Sequence, residues 1–190
     1  MRFPRASLRE VDPRVTITAV AVVVALLLVA VGALLGGWRP FSAEPSVETF
    51  GAGGDMAQFV LFDGQCANGS LGSSRGFGAD DDAQCREPHD VEVVASRTPL
   101  DESRDVTYPG EDALARFGRA YCALVIDSAV VADSSGGVAK SDLDVTAVIP
   151  TEAAFEAPTT ADASSTGARS VACVVSRSGG GKLPDRFSVI

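Results

Sequence analysis

One histidine occurs in this 190-residue chain, His89, within the stretch CREPHDVEVV that spans residues 85–94. An imidazole beside a carboxylate is the pairing a general base needs, and Asp90 stands next in the chain. Nucleophilic catalysis would also require an activated Ser or Cys and an acid that orients the ring. No Gly-x-Ser-x-Gly elbow is present. Metal binding would require companions, and the sequence offers no second His and no C-x-x-C pair. The sequence therefore predicts neither metal nor cofactor. It casts His89 as a corner residue: Pro88 stiffens the start of a strand, Cys85 anchors the preceding loop, and the imidazole bonds backbone groups. The competing reading is a small-ligand sensor or an enzyme that uses His89 with Asp90 or a nearby acid.

Two other stretches invite a chemical reading. Asp80, Asp81 and Asp82 form an acidic run, but the spacing of a calcium-binding EF-hand and its distant Glu are missing. Solvated loop carboxylates are the expectation. Ser178-Gly-Gly-Gly-Lys182 resembles part of a phosphate loop but lacks the Gly-Lys-Ser/Thr ending, so a turn is expected.

The elements that must position these residues lie behind a long apolar segment. Val15 to Trp38 carries no charged residue, and as a helix those residues would reach about 36 Å, enough to cross a hydrocarbon core of roughly 30 Å. Arg2, Arg5, Arg9 and Arg14 precede it, against Glu10 and Asp12. Beyond it lie 12 basic and 23 acidic residues, a formal −11. The positive-inside rule places the N-terminus in the cytoplasm. The expected organisation is a cytoplasmic tail over 1–14, a transmembrane anchor over 15–35, a juxtamembrane linker over 36–57 and an extracytoplasmic domain over 58–190. A cleaved signal peptide, with Val31-Gly32-Ala33 as the cleavage site, is the rival, but this apolar run exceeds the usual length of about 7–15 residues. The acidity excludes a basic stripe for nucleic acid. Arginine outnumbers lysine 14 to 2, as high-GC bacterial genomes produce.

Within 58–190, Gln58–Phe62 reads as a short buried strand and residues 67–84 as a long loop. Residues 89–96 alternate, with Val91, Val93 and Ala95 on one face and Asp90, Glu92 and Ser96 on the other; Val94 breaks the pattern. Pro109-Gly110 marks a turn before a helix over about 111–125, whose apolar positions are Leu114, Phe117, Tyr121 and Val125. Residues 127–143 read as a loop with a turn at Gly136-Gly137. A strand over 144–149 ends at Pro150, and Thr151 caps a single helical turn through Phe155. Residues 156–167 are rich in Pro, Thr, Ser and Ala. A last strand covers 169–177, with Val171, Cys173 and Val175 on one face. The order of strand, strand, helix, strand, strand predicts an α+β domain, a mostly antiparallel sheet with one main helix.

All four cysteines, Cys66, Cys85, Cys122 and Cys173, lie beyond the apolar segment. An even number in an oxidising compartment reads as disulfides, with three possible connectivities. Element placement favours Cys66–Cys85, which would staple the polar loop, and Cys122–Cys173, which would tie the helix to the sheet.

Placed in order, DGQC, CREPHDVEVV, YPGEDALARFGRAYC and IPTEAAF…GARSVACVV resemble the septum-formation domain family of membrane-anchored actinobacterial envelope proteins. The resemblance covers about residues 60–177. It assigns motif positions to Pro88, His89, Pro109, Gly110, Phe155, Gly167 and Arg169, expected to be structural. Phe155 stands where that family usually has Trp, Ala168 where it has Asp, and residues 156–166 look like an insertion. The resemblance implies a link to cell division and no catalytic mechanism. The expected function is a non-catalytic envelope module that binds an envelope or division protein, or cell-wall material.

Overall fold

Two runs of β-branched and small apolar residues, one before Pro150 and one after Arg169, form the middle of a six-stranded sheet. The computed structural model describes residues 44–99, 106–157 and 169–189, together with Val24. The expected tail over 1–14 and anchor over 15–35, apart from Val24, and also Gly167, lie outside the described residues. Among the described residues no helix is long and apolar enough to cross a membrane.

The strands are β1 (Ser46–Phe50), β2 (Gln58–Phe59), β3 (Cys66–Ala67), β4 (Gly76–Phe77), β5 (Asp82–Ala83), β6 (Val91–Arg97), β7 (Ser134–Ser135), β8 (Val138–Ala139), β9 (Leu143–Pro150) and β10 (Val171–Arg177). The main helix is α1 (Glu111–Asp127), and α2 (Glu152–Glu156) is one turn. The main sheet runs β1-β9-β10-β6-β3-β5. Within this sheet only β1 and β9 pair in parallel; its other ladders are antiparallel. The α+β class, the mostly antiparallel sheet and the single main helix match the expectation.

The folded unit starts earlier than expected. It begins at Glu44, inside the segment read as a linker over 36–57. Ser46–Phe50 lacks a clean alternation but gains a full ladder along β9, from Ser46 opposite Thr146 to Phe50 opposite Pro150. Backbone pairing with a distant strand decides this segment, and its own composition does not announce it.

Both faces of the sheet are covered, which explains another difference. On one face Leu114, Gly118, Cys122 and Val125 of α1 are buried over Ala147, Ile149, Val171, Cys173 and Val175. Phe117 and Tyr121 flank this line as a stacked pair, their centroids 5.7 Å apart. The helix therefore presents its small residues to the sheet, and the aromatics read as its centre sit at the side. A β-carbon on Gly118 would stand 3.0 Å from the Ala147 Cβ, so the absent side chain sets how closely helix and sheet approach. On the other face Val91, Val93, Val148, Ala172 and Val174 meet Phe50, Met56, Phe59, Leu61 and Phe77 from the loop layer. That layer contains β2 and β4, paired in parallel, where one longer strand and an unstructured loop were expected. Gln58–Phe62 is not a buried strand: only Gln58–Phe59 pairs, and Val60 and Phe62 are exposed.

Val94, which spoils the alternation, is a bulge residue. Cys173 pairs with Ala95 and the next residue, Val174, pairs with Val93, so Val94 has no partner of its own. Other local signals hold. The Gly136-Gly137 turn joins β7 to β8 with positive φ at both glycines, 54° and 84°, as a tight hairpin needs. Thr151 accepts the Ala154 N–H at 3.3 Å and caps α2.

Candidate functional site

His89 is clamped at the mouth of β6 by the C-terminal segment. Its N–H donates to the Leu183 carbonyl at 3.0 Å, and the Leu183 N–H donates to the His89 carbonyl at 2.7 Å. The ring is fully buried. Nδ1 lies 2.8 Å from the Glu87 carbonyl oxygen, which can only accept, so Nδ1 carries the hydrogen. In a neutral ring Nε2 then presents a lone pair. Nε2 is buried and has no hydrogen-bond partner among the described residues. A buried polar atom left in this condition calls for an explanation.

Glu92 lies close by and is the second surprise of this strand. Alternation placed it on a solvent face with Asp90 and Ser96, yet it is fully buried. Oε2 accepts the Phe187 N–H at 2.7 Å and Oε1 accepts the Ser188 N–H at 2.8 Å. Two backbone donors offset much of the cost of burying a carboxylate. Phe187, also fully buried, belongs to the same core cluster as Val94 and Val175. The expected half-buried strand is thus enclosed, because the last residues of the chain fold back over its polar side.

Cys66 completes the group. It lies opposite Glu92 in the β3–β6 ladder. One donor atom from each of Cys66, His89 and Glu92 falls within 4.8 Å of the other two. Chain order separates Cys66 from His89 by a long loop, so spacing left His89 without companions where the fold supplies two. Cys66 Sγ is bonded to Cys85, with the Cα atoms 5.2 Å apart. Cys122 and Cys173 form the second disulfide, with Cα atoms 5.3 Å apart. Both favoured pairings are present.

Asp90 does not orient the ring. Its Oδ2 accepts the Gly69 N–H at 2.9 Å, and its Oδ1 lies 3.7 Å from Lys182 Nζ. Lys182 also donates to Asn68 Oδ1, which holds the end of the Gly179-Gly180-Gly181 turn on the β3 side. In the acidic run, Asp81 accepts from Arg75 Nη2 at 2.5 Å and from the Gly78 N–H at 2.8 Å. These bonds, Arg75 first, hold its carboxyl below the usual aspartate value.

The other motif positions gather apart from His89. Pro109 is exposed, and Gly110, with φ 93°, adopts a backbone suited to glycine just before α1. Tyr108, beside them, meets the buried Phe155 ring edge-on at 5.5 Å. Arg169 covers that ring, its Cζ 5.2 Å from the centroid, and donates through Nε to the Phe155 carbonyl at 3.2 Å. Pro88 is exposed at the corner. No family model, curated protein or solved structure matches this chain.

Proposed function

We propose that this chain is a non-catalytic, membrane-anchored module of the bacterial envelope, whose disulfide-stapled exterior domain binds a protein or cell-wall partner. The observation that carries this reading is the pair of disulfides that consumes all four cysteines. Such staples persist outside the reducing cytoplasm, where the arginine-flanked apolar segment would deliver the domain. The burial of His89 supports a structural role for it, because an enclosed imidazole does not meet a substrate in the folded state. The septum-formation resemblance directs the partner search to the division site.

The test combines deletion of the gene, microscopy of the dividing cells, and crosslinked pulldown with the full chain. A septation defect, together with an envelope protein or wall fragment crosslinked to residues 44–189, supports the proposal. A C-terminal reporter active only on the cytoplasmic side, or cysteines that are reduced in protein taken from cells, would refute it.

A further inference from the structure

We propose that reduction of the Cys66–Cys85 disulfide turns the His89 corner into a binding site for a zinc-like divalent metal. Its ligands are Cys66 Sγ, His89 Nε2 and a Glu92 carboxylate oxygen, with the freed Cys85 thiolate as the fourth. The inference goes beyond partner binding and does not depend on it.

Three observations meet at this place. One ligand atom from each of Cys66, His89 (a ring nitrogen) and Glu92 already lies within 4.8 Å of the other two. In a tetrahedral zinc site, bonds of about 2.0–2.3 Å put neighbouring donors roughly 3.3–3.8 Å apart, so the three groups need close by only about 1–1.5 Å, while the two sulfurs part once their bond is broken. The second observation is the orphaned Nε2, buried and without a partner among the described residues, on the nitrogen whose lone pair a metal would take. The third is the support around the ligands. Metal-bound histidines usually donate their other ring N–H to a carbonyl or carboxylate, which fixes the tautomer. Here the Glu87 carbonyl takes Nδ1–H at 2.8 Å. The Phe187 and Ser188 N–H groups likewise orient the Glu92 carboxylate and leave lone pairs on both oxygens. The site's surroundings are arranged as a metal centre's would be, and the disulfide withholds two ligands, Cys66 and Cys85.

The redox step balances with a dithiol reductant. A thiolate of the dithiol attacks Cys85 Sγ, on the half-buried partner of the bond, while Cys66 is buried. The S–S bond breaks and Cys66 leaves with the electron pair as a thiolate. The second thiol of the reductant attacks the mixed disulfide and releases Cys85. The dithiol is oxidised to a disulfide, and two cysteine thiols are formed. Metal binding then displaces the remaining thiol protons to solvent.

The test uses the full chain, reduced with a phosphine, desalted without oxygen and titrated with Co²⁺ and then Zn²⁺. The expected result is one equivalent of cobalt with tetrahedral d–d bands and a thiolate-to-cobalt charge-transfer band, displaced by zinc. The oxidised chain should show no charge-transfer band. His89→Ala and Glu92→Gln should each weaken zinc binding by roughly 100-fold or more, beyond what loss of a merely supporting partner usually costs. Circular dichroism reports whether each variant folds. For one that does not, alkylation of the reduced wild type decides: zinc should protect both Cys66 and Cys85. The proposal fails if reduced wild type takes up no cobalt, if folded variants bind as tightly as wild type, or if zinc leaves Cys66 as reactive as before.

Discussion

Arg169 lies over the face of Phe155, its guanidinium carbon 5.2 Å from the ring centroid, and also donates to the Phe155 carbonyl. One side chain thereby joins the turn after β9 to the start of β10, on either side of the segment read as an insertion. Phe155→Ala should lower stability by about 3–5 kcal/mol, because the ring is fully buried. Phe155→Trp, the residue usual in the resembling family, should cost about 1–3 kcal/mol through overpacking. Arg169→Ala should cost about 1–2 kcal/mol. Urea unfolding of the full chain measures all three, and a tryptophan variant more stable than wild type would show that the pocket has room to spare.

The disulfides should be found intact by unreduced tryptic mapping. The peptide ending at Arg75 should be joined to Gly76–Arg86, and Ala120–Lys140 to Ser170–Arg177. In the chain-entropy model, closures of 19 and 51 residues stabilise by about 3 and about 4 kcal/mol. Replacing Cys122 and Cys173 by Ala should therefore harm the fold more than replacing Cys66 and Cys85. The reverse order would mean that the His89 corner depends on its staple for more than chain entropy.

Gly118→Leu should destabilise by about 1–3 kcal/mol or more, since Ala147, Val171 and Ile149 already stand within 3.4 Å of where its β-carbon would be. Gly118→Ala sets two effects against each other, gain of helix propensity and a tight Ala147 contact. Thermal melting of both variants tests the close approach, and an unchanged melting temperature for the leucine variant would disprove it.

Acid should weaken the loop closed by Thr49 and Asp55. The Thr49 N–H and hydroxyl donate to Asp55 Oδ2 at 2.9 and 2.8 Å, and the Asp55 N–H donates back to the hydroxyl oxygen at 2.9 Å. The backbone bond from Thr49, then its hydroxyl, pull the Asp55 carboxyl below 3.8. A depressed folded value means that the contribution is present above the unfolded value and is lost as pH falls through the folded one. Glu48 acts in the opposite sense, since burial and then the Asp55 charge raise its carboxyl. In a Glu48→Gln background, the stability lost in Asp55→Asn should be constant above about pH 5 and shrink below about pH 4. Because Asp55 is exposed, the difference should be small and sensitive to salt. A difference that grows on acidification would contradict the assignment.

What could be read from the chain was local or periodic. The α1 pattern, the Thr151 cap and the Gly136-Gly137 turn follow from residue type and spacing, and both disulfide pairings from where the expected elements place the cysteines. Long-range placement was not legible. Glu92 has the alternation of a solvent-facing residue, and only residues 183–188 folding back over β6 bury it. Ser46–Phe50 acquires its strand from β9, about 100 residues later in the chain. The Cys66–His89–Glu92 group is invisible in one dimension because Cys66 arrives through a neighbouring strand. Val94 carried a usable signal: a single break in strict alternation marked the bulge.

The Cys122–Cys173 bond closes a covalent ring whose backbone includes β7, β8, β9, α2 and residues 158–168. A peptidase that severs this ring once opens the chain without dividing the molecule. The two pieces remain one species, with α1 on one side of the cut bonded to β10 on the other. The nicked protein would run as intact on an unreduced gel and separate into two bands once the sulfurs are reduced. A single cut anywhere in the ring, residues 158–168 included, would shed neither half of the domain.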